Sequence, residues 1–170
     1  MRIPRFNLQQ HGGNPIFGRM CGRVVQSSET RKLKILDGVD MRDSRECKPR
    51  WNGAPSQGFL VIRRNAETGA ITLDPLRWGL IPHWCKDQKG GPRPINAKAE
   101  TVAKLPSFRD AYARRRCLLP IDAFYEWKRI AGSPRKQPYA VAMKDREPFS
   151  LAGIWRSGNA RTANGCALSR

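Results

Sequence analysis

The sequence predicts an α+β domain, rich in β-structure with a few short helices, on three observations. Its apolar runs are short and full of β-branched and aromatic residues, as in Phe59-Leu60-Val61-Ile62 and the stretch Phe149 to Trp155. Gly and Pro, 15 and 13 in number, punctuate the chain too often for long helices. Only isolated stretches hold a helical spacing, and no internal repeat is present. The 170 residues, 39% of them hydrophobic, suffice for one core. A single domain is therefore expected over 20–156, between a leader at 1–19 and a polar tail at 157–170.

Residues 1–19 hold three Arg, no acid and no amphipathic period, and read as a disordered leader or as sequence not normally translated. Val24-Val25 suggests a first short strand, and Ser27-Ser28-Glu29 opens a helix with Leu33 and Leu36 on its apolar side and Gly38 to stop it. Trp51 to Pro55 is turn-rich. Phe59 to Ile62 and Ile71 to Trp78 form a hairpin around Asn65 to Gly69. Gly90, Gly91, Pro92 and Pro94 impose an irregular loop. Helices are expected at 99–104 and 107–115, separated by Pro106. Four strands close the pattern, at 117–120, 123–127, 139–143 and 149–155. The ending from Ser157 is small and polar and does not suggest a packed element.

Thirty-two Lys and Arg against fourteen Asp and Glu give a net charge of +18, spread along the whole chain. Such a balance favours a polyanionic partner, because each phosphate neutralised releases a condensed counterion. Nucleic acid is the first candidate; a basic enzyme or ribosome-associated protein is the competing reading of charge alone. The five cysteines, at 21, 47, 85, 117 and 166, form no C-x-x-C pair and no zinc spacing, so neither metal nor cofactor is expected and reduced thiols fit best. No apolar run approaches the roughly 20 residues of a membrane span.

Cys21 follows Met20 directly. If Met20 is lost, Cys21 carries an amine and a thiol on adjacent carbons, a pair that can close a five-membered thiazolidine ring on an aldehyde. An α-amine with a pKa of about 8 is neutral in roughly a tenth of molecules at pH 7, far more than a lysine. A small buried hydrophobe is the commoner role for an isolated cysteine.

Met20-Cys21-Gly22-Arg23, Trp51-Asn52-x-Ala54-Pro55, Arg77 to Pro82, Ile95 to Thr101, Cys117 to Pro120, Phe124-Tyr125-Glu126-Trp127 and Leu151 to Trp155 occur together in one order. That series resembles the SRAP family, the SOS response-associated peptidases that shield abasic sites. The resemblance implies a covalent thiazolidine bond between Cys21 and an abasic site in single-stranded DNA. It implies that Asn96 holds the terminal amine and the sugar-derived oxygen, and that Glu126 moves protons during imine formation. Both residue types suit those tasks, the carboxylate through a pKa raised by Tyr125 and Trp127. Arg23, Asn52, Arg77 and Lys98 are candidate DNA contacts, with Trp84 as a wedge or stacking face. Lys98 stands where the family suggests Arg, which weakens bidentate phosphate binding there.

Two departures stand out. Nineteen residues precede Met20, and while they remain attached the Cys21 nitrogen is an amide that cannot close the ring. The family's His-x-Arg segment is also absent, so the chain reads as truncated at its C-terminus, with exposed sheet edges expected. A monomer in the bacterial cytoplasm, associated with the nucleoid, is expected. The alternatives are a thiol peptidase or autopeptidase using Cys21, and a noncatalytic single-stranded DNA-binding module; lyase activity is a further family implication.

Overall fold

The computed structural model describes residues 22–28, 48–65, 68–82, 84–85, 94–156 and 165–169, the last five for their backbone. Ten strands and one helix follow in order: β1 (Val24–Gln26), β2 (Arg50–Gly53), β3 (Gly58–Arg64), β4 (Ile71–Trp78), β5 (Asn96–Ala97), α1 (Arg109–Arg114), β6 (Arg116–Ile121), β7 (Ala123–Arg129), β8 (Lys136–Ala142), β9 (Phe149–Arg156) and β10 (Gly165–Ser169). They build two sheets, one of order β4-β3-β6-β9-β10-β5 and one of order β2-β1-β7-β8.

The larger sheet closes on itself. Antiparallel pairs run from β4 through β3, β6 and β9 to β10, and the start of β10 then pairs in parallel with β4, Gly165 opposite Arg77 and Cys166 opposite Trp78. The other end of β10 pairs with β5, Leu168 opposite Asn96. Alternation along β3 and β4 points Phe59, Val61, Leu76 and Trp78 into the barrel, where they meet Cys117, Leu119, Ile121 and Trp155. Leu60, Ile62 and Leu73 form a second buried cluster on the opposite face, which is why residues 59–62 read as an unbroken apolar run. Phe59 and Trp78 meet edge to face at 5.9 Å. Toward the other end of the barrel Arg63 stacks on Trp155 at 4.1 Å and pairs with Asp74 at 2.5 Å.

The smaller sheet leans on the barrel through β1, whose Val24 belongs to the barrel core. Two polar fastenings hold the seam. The Gln26 amide accepts from the Leu60 N–H and donates to the Leu60 and Pro120 carbonyls, at 2.8–3.0 Å. Leu60 and Pro120 stand where the β3–β6 ladder would continue, since Ile62 pairs with Leu118, so Gln26 occupies the split. Beyond it, the Asp122 carboxylate accepts from the backbone N–H and hydroxyl of both Ser27 and Ser28. Partial burial pushes the Asp122 pKa up, but these hydrogen bonds together outweigh it and leave the group below its ordinary value. Gly53 has a steric reason: a Cβ there would lie 2.5 Å from the Phe59 ring.

Several expectations need correction. Residues 51–53 belong to a strand, not a turn-rich loop, because β1 offers β2 a partner. The helix expected at 99–104 is a run of turns closed by bonds such as Val102 N–H to Lys98 carbonyl; burial of Val102 with Leu80 and Phe108 decides that path, and Pro106 allows no continuation. The helix expected at 107–115 narrows to Arg109–Arg114. Residues 165–169, expected within a polar tail, are a strand bonded to β9, β4 and β5. Main-chain pairing holds that strand, which a reading of side-chain polarity does not register. The leader at 1–19, Cys21 and all of the helix expected after Ser28 lie outside the described residues. β8 has one strand neighbour among the described residues and is a sheet edge.

Candidate functional site

The first residues of β1 run antiparallel to β7, with Val24 opposite Phe124 and the Tyr125 N–H donating to the Arg23 carbonyl at 3.0 Å. The chain upstream of Arg23 thus starts alongside the half of β7 that bears Glu126. Phe124 packs on the barrel core, and Glu126, two residues on and half-buried, shares its face. Tyr125 and Trp127 occupy the opposite face with ring centroids 6.5 Å apart. The expected source of a raised Glu126 pKa is therefore corrected: in a strand, residues one position away turn from the carboxylate and cannot enclose it.

Asn96 approaches from the barrel side. On β10, Cys166 faces Trp78 and Leu168 faces Asn96 two residues later, so Asn96 and Trp78 share one side of the sheet. Asn96 follows Ile95, which packs on the same core cluster as Phe124. Its Oδ1 is buried and has no hydrogen-bond partner among the described residues, a condition that Arg23 Nε also shows. Buried polar atoms rarely stay unpaired. Arg50 Nε, Arg115 Nε and Ser150 Oγ are in the same state.

Trp84 lies in the excursion between β4 and β5. The feet of that excursion are stapled, Trp78 Nε1–H donating to the Ile95 carbonyl at 2.8 Å and Leu80 N–H to the Pro94 carbonyl at 3.0 Å. Trp84 is 51% exposed and is no core aromatic; it rises from a loop rooted beside Asn96. Cys85 next to it is partly exposed.

Asn52 is exposed on β2, where Gly53 takes the core-facing position. The sheet β2-β1-β7 carries all three but on two faces: Glu126 shares the Phe124 face, whereas Arg23, next to Val24 and opposite Tyr125, and Asn52, next to Gly53, belong to the other. Arg77 and Lys98 are not gathered with them. Arg77 alternates with Leu76 and Trp78 and so faces away from the barrel interior, and Lys98 is exposed just after β5, its carbonyl accepting from Thr101 and Val102. His83, like Cys21, is outside the described residues. Sequence reasoning passed over Trp51, 70% exposed and gripped by a 3.0 Å bond from the Tyr125 hydroxyl to its carbonyl. It also passed over Arg50, which lies over the Phe59 ring at 5.8 Å. Residues 50–53 offered no signal for either, since their burial does not alternate and the β1–β2 register shifts within them. Among the described residues no group of His, Cys, Asp and Glu could hold a metal ion, and no helix is long and apolar enough to cross a membrane.

The family model for SOS response associated peptidase (SRAP) matches residues 20–168. The chain belongs to the SRAP family. The match runs through β10, so the SRAP sequence pattern includes the strand that closes the barrel. This SRAP chain is 40% identical over 147 residues to the abasic site processing protein YoqW of Bacillus subtilis, covering 85% of the chain and 64% of that relative. The chain thus spans less than two thirds of the relative's length. A crystal structure of a phage-related protein of Bordetella bronchiseptica superposes with a TM-score of 0.69 at 28% identity, over 88% of this chain and 68% of that one. A Bacteroides thetaiotaomicron protein shares the fold, with a TM-score of 0.71 at 21% identity over 88% of this chain and 67% of its own.

Proposed function

We propose that this SRAP chain processes abasic sites in single-stranded DNA by forming a covalent thiazolidine crosslink through Cys21, as part of a DNA damage response. The observation that carries the reading is the pairing of Arg23 with Tyr125, because Cys21 is only two residues before Arg23 in the chain and is thereby tethered near the half of β7 that bears Glu126. The similarity to YoqW, an abasic site processing protein, supports the same substrate.

The chemistry follows from the residue types. With residues 1–20 removed, the neutral α-amine of Cys21 adds to the open-chain aldehyde of the abasic sugar, and loss of one water gives an imine. The thiol then adds across the carbon–nitrogen double bond, sulfur to carbon and proton to nitrogen, closing the ring with no oxidant or reductant. Glu126 would deliver the proton that releases water and recover one later, and the buried Asn96 Oδ1 would accept from the amine and hold it toward the sugar. Arg23 and Asn52 would contact the backbone flanking the lesion, and Trp84 would stack against or wedge beside it. Arg77 and Lys98 would contact the strand farther from the chemistry.

The test is single-turnover crosslinking on an abasic oligonucleotide. Cys21→Ala is expected to abolish the heat-stable adduct and keep most noncovalent affinity, and Glu126→Gln to slow adduct formation by about 10²- to 10⁴-fold. An adduct formed at the parental rate by Cys21→Ala would sink the assignment. Peptide turnover dependent on Cys21 would favour the peptidase alternative.

A further inference from the structure

We infer that the outer face of the β7–β8 ribbon is a second contact surface for single-stranded nucleic acid, separate from the crosslinking face and holding the strand beyond the lesion. The inference rests on the reading of DNA as the partner, but not on the crosslink.

Register sets the face. Trp127 pairs with Pro138 and Arg129 with Lys136, so Tyr125, Trp127, Arg129 and Lys136 lie in one stripe, about 7 Å apart along the strand. Glu126 points to the other side. The stripe is open: Trp127 is 39% exposed, and every residue from 127 to 140 except Ser133 is exposed. Beyond Trp127 the ribbon has left β1, and among the described residues β7 and β8 pair only with each other there. Its charge has one sign, since residues 127–143 hold Lys128, Arg129, Arg135 and Lys136 and no acid. Neither Arg129 nor Lys136 has an ion-pair partner among the described residues.

Rings followed by unpaired cations on one strand face suit a single strand. Any base can stack on an aromatic ring and the cations track phosphates, so binding needs no sequence. A duplex hides its base faces and would use the cations alone. An acidic peptide would likewise leave Trp127 idle.

The experiment measures affinity of the full chain for an undamaged single-stranded oligonucleotide across a salt series, with crosslinking of a short abasic oligonucleotide in parallel. Arg129→Ala with Lys136→Ala is expected to flatten the slope of log affinity against log salt by about 1.4, at roughly 0.7 per lost phosphate contact. Trp127→Ala is expected to weaken single-strand binding by about tenfold and duplex binding little. The short abasic oligonucleotide should crosslink at the parental rate in both variants. An unchanged salt slope, or equal losses of Trp127→Ala on single strands and duplex, would overturn the inference. If no variant and no parent crosslinks while these losses appear, the second surface stands and the crosslinking function fails.

Discussion

The closed barrel and the open β2-β1-β7-β8 sheet solve opposite problems with the same kind of strand. Strands β3, β4, β6, β9 and β10 each have neighbours on both sides, and the interior they enclose is filled by rings and aliphatic side chains, with the Arg63–Asp74 pair toward one end. Among the described residues the open sheet has an unpaired edge at β8, and it carries Trp51, Trp127 and Tyr139 toward solvent. Asn96 belongs to the barrel, Glu126 and Arg23 to the open sheet, and the proposed chemistry falls where the two meet. In the proposed reaction the closed half would hold the amide, while the open half would leave room for the DNA strand.

That division can be broken at the barrel first. Phe59→Ala is expected to destabilise the protein by about 3–5 kcal/mol, since it empties the ring position under Gly53 and against Trp78. Tyr139→Ala, on the exposed edge strand, should change stability by less than about 0.5 kcal/mol. Chemical denaturation of both variants measures the contrast, and equal losses would mean that the ribbon is as structural as the barrel.

The seam gives a smaller effect with a pH signature. Asp122→Ala leaves four donors on Ser27 and Ser28 without their acceptor and should cost about 1–3 kcal/mol at pH 7. Because the folded pKa of Asp122 is lowered, its contribution is full above the unfolded value of about 3.9 and is lost as the pH falls through the lower folded value. The variant should therefore lose less stability than the parent as the pH is taken below about 4. Parallel acid dependence of the two proteins would remove Asp122 from the seam.

Smaller than the effect at the seam is that of Tyr125→Phe, which deletes one bond to the Trp51 carbonyl and should cost about 0.5–1.5 kcal/mol. Faster amide exchange in β2, with the barrel strands unchanged, would show the open sheet loosening alone. Uniform change across both sheets would argue that they behave as one body.

Much of the barrel was legible in the sequence because its strands announce themselves by composition: Ile71 to Trp78 is read to the residue, and Phe59 to Ile62 lies within β3. What was hidden depends on partners far away in the chain. Residues 165–169 look like a polar tail until β9, β4 and β5 offer them backbone bonds, and 51–53 look like a loop until β1 lies beside them. For the site, the SRAP motifs nominated Asn96 and Glu126 but not their surroundings. Tyr125 and Trp127 flank Glu126 in sequence and leave it in space, whereas Ile95, next to Asn96, and Phe124, two residues before Glu126, pack on one core cluster from segments some thirty residues apart. Gln26 and Asp122, which join the two halves, carry no sequence signal because their partners, main-chain groups and for Asp122 two serine hydroxyls as well, lie in distant segments.

The most direct measurement is intact mass spectrometry of the full chain after incubation with an abasic oligonucleotide. The expected product is protein beginning at Cys21 joined to the DNA with loss of one water, together with no adduct from chains that still carry residues 1–20. A crosslinked species that retains those residues, or no covalent species from protein that begins at Cys21, would contradict the thiazolidine mechanism.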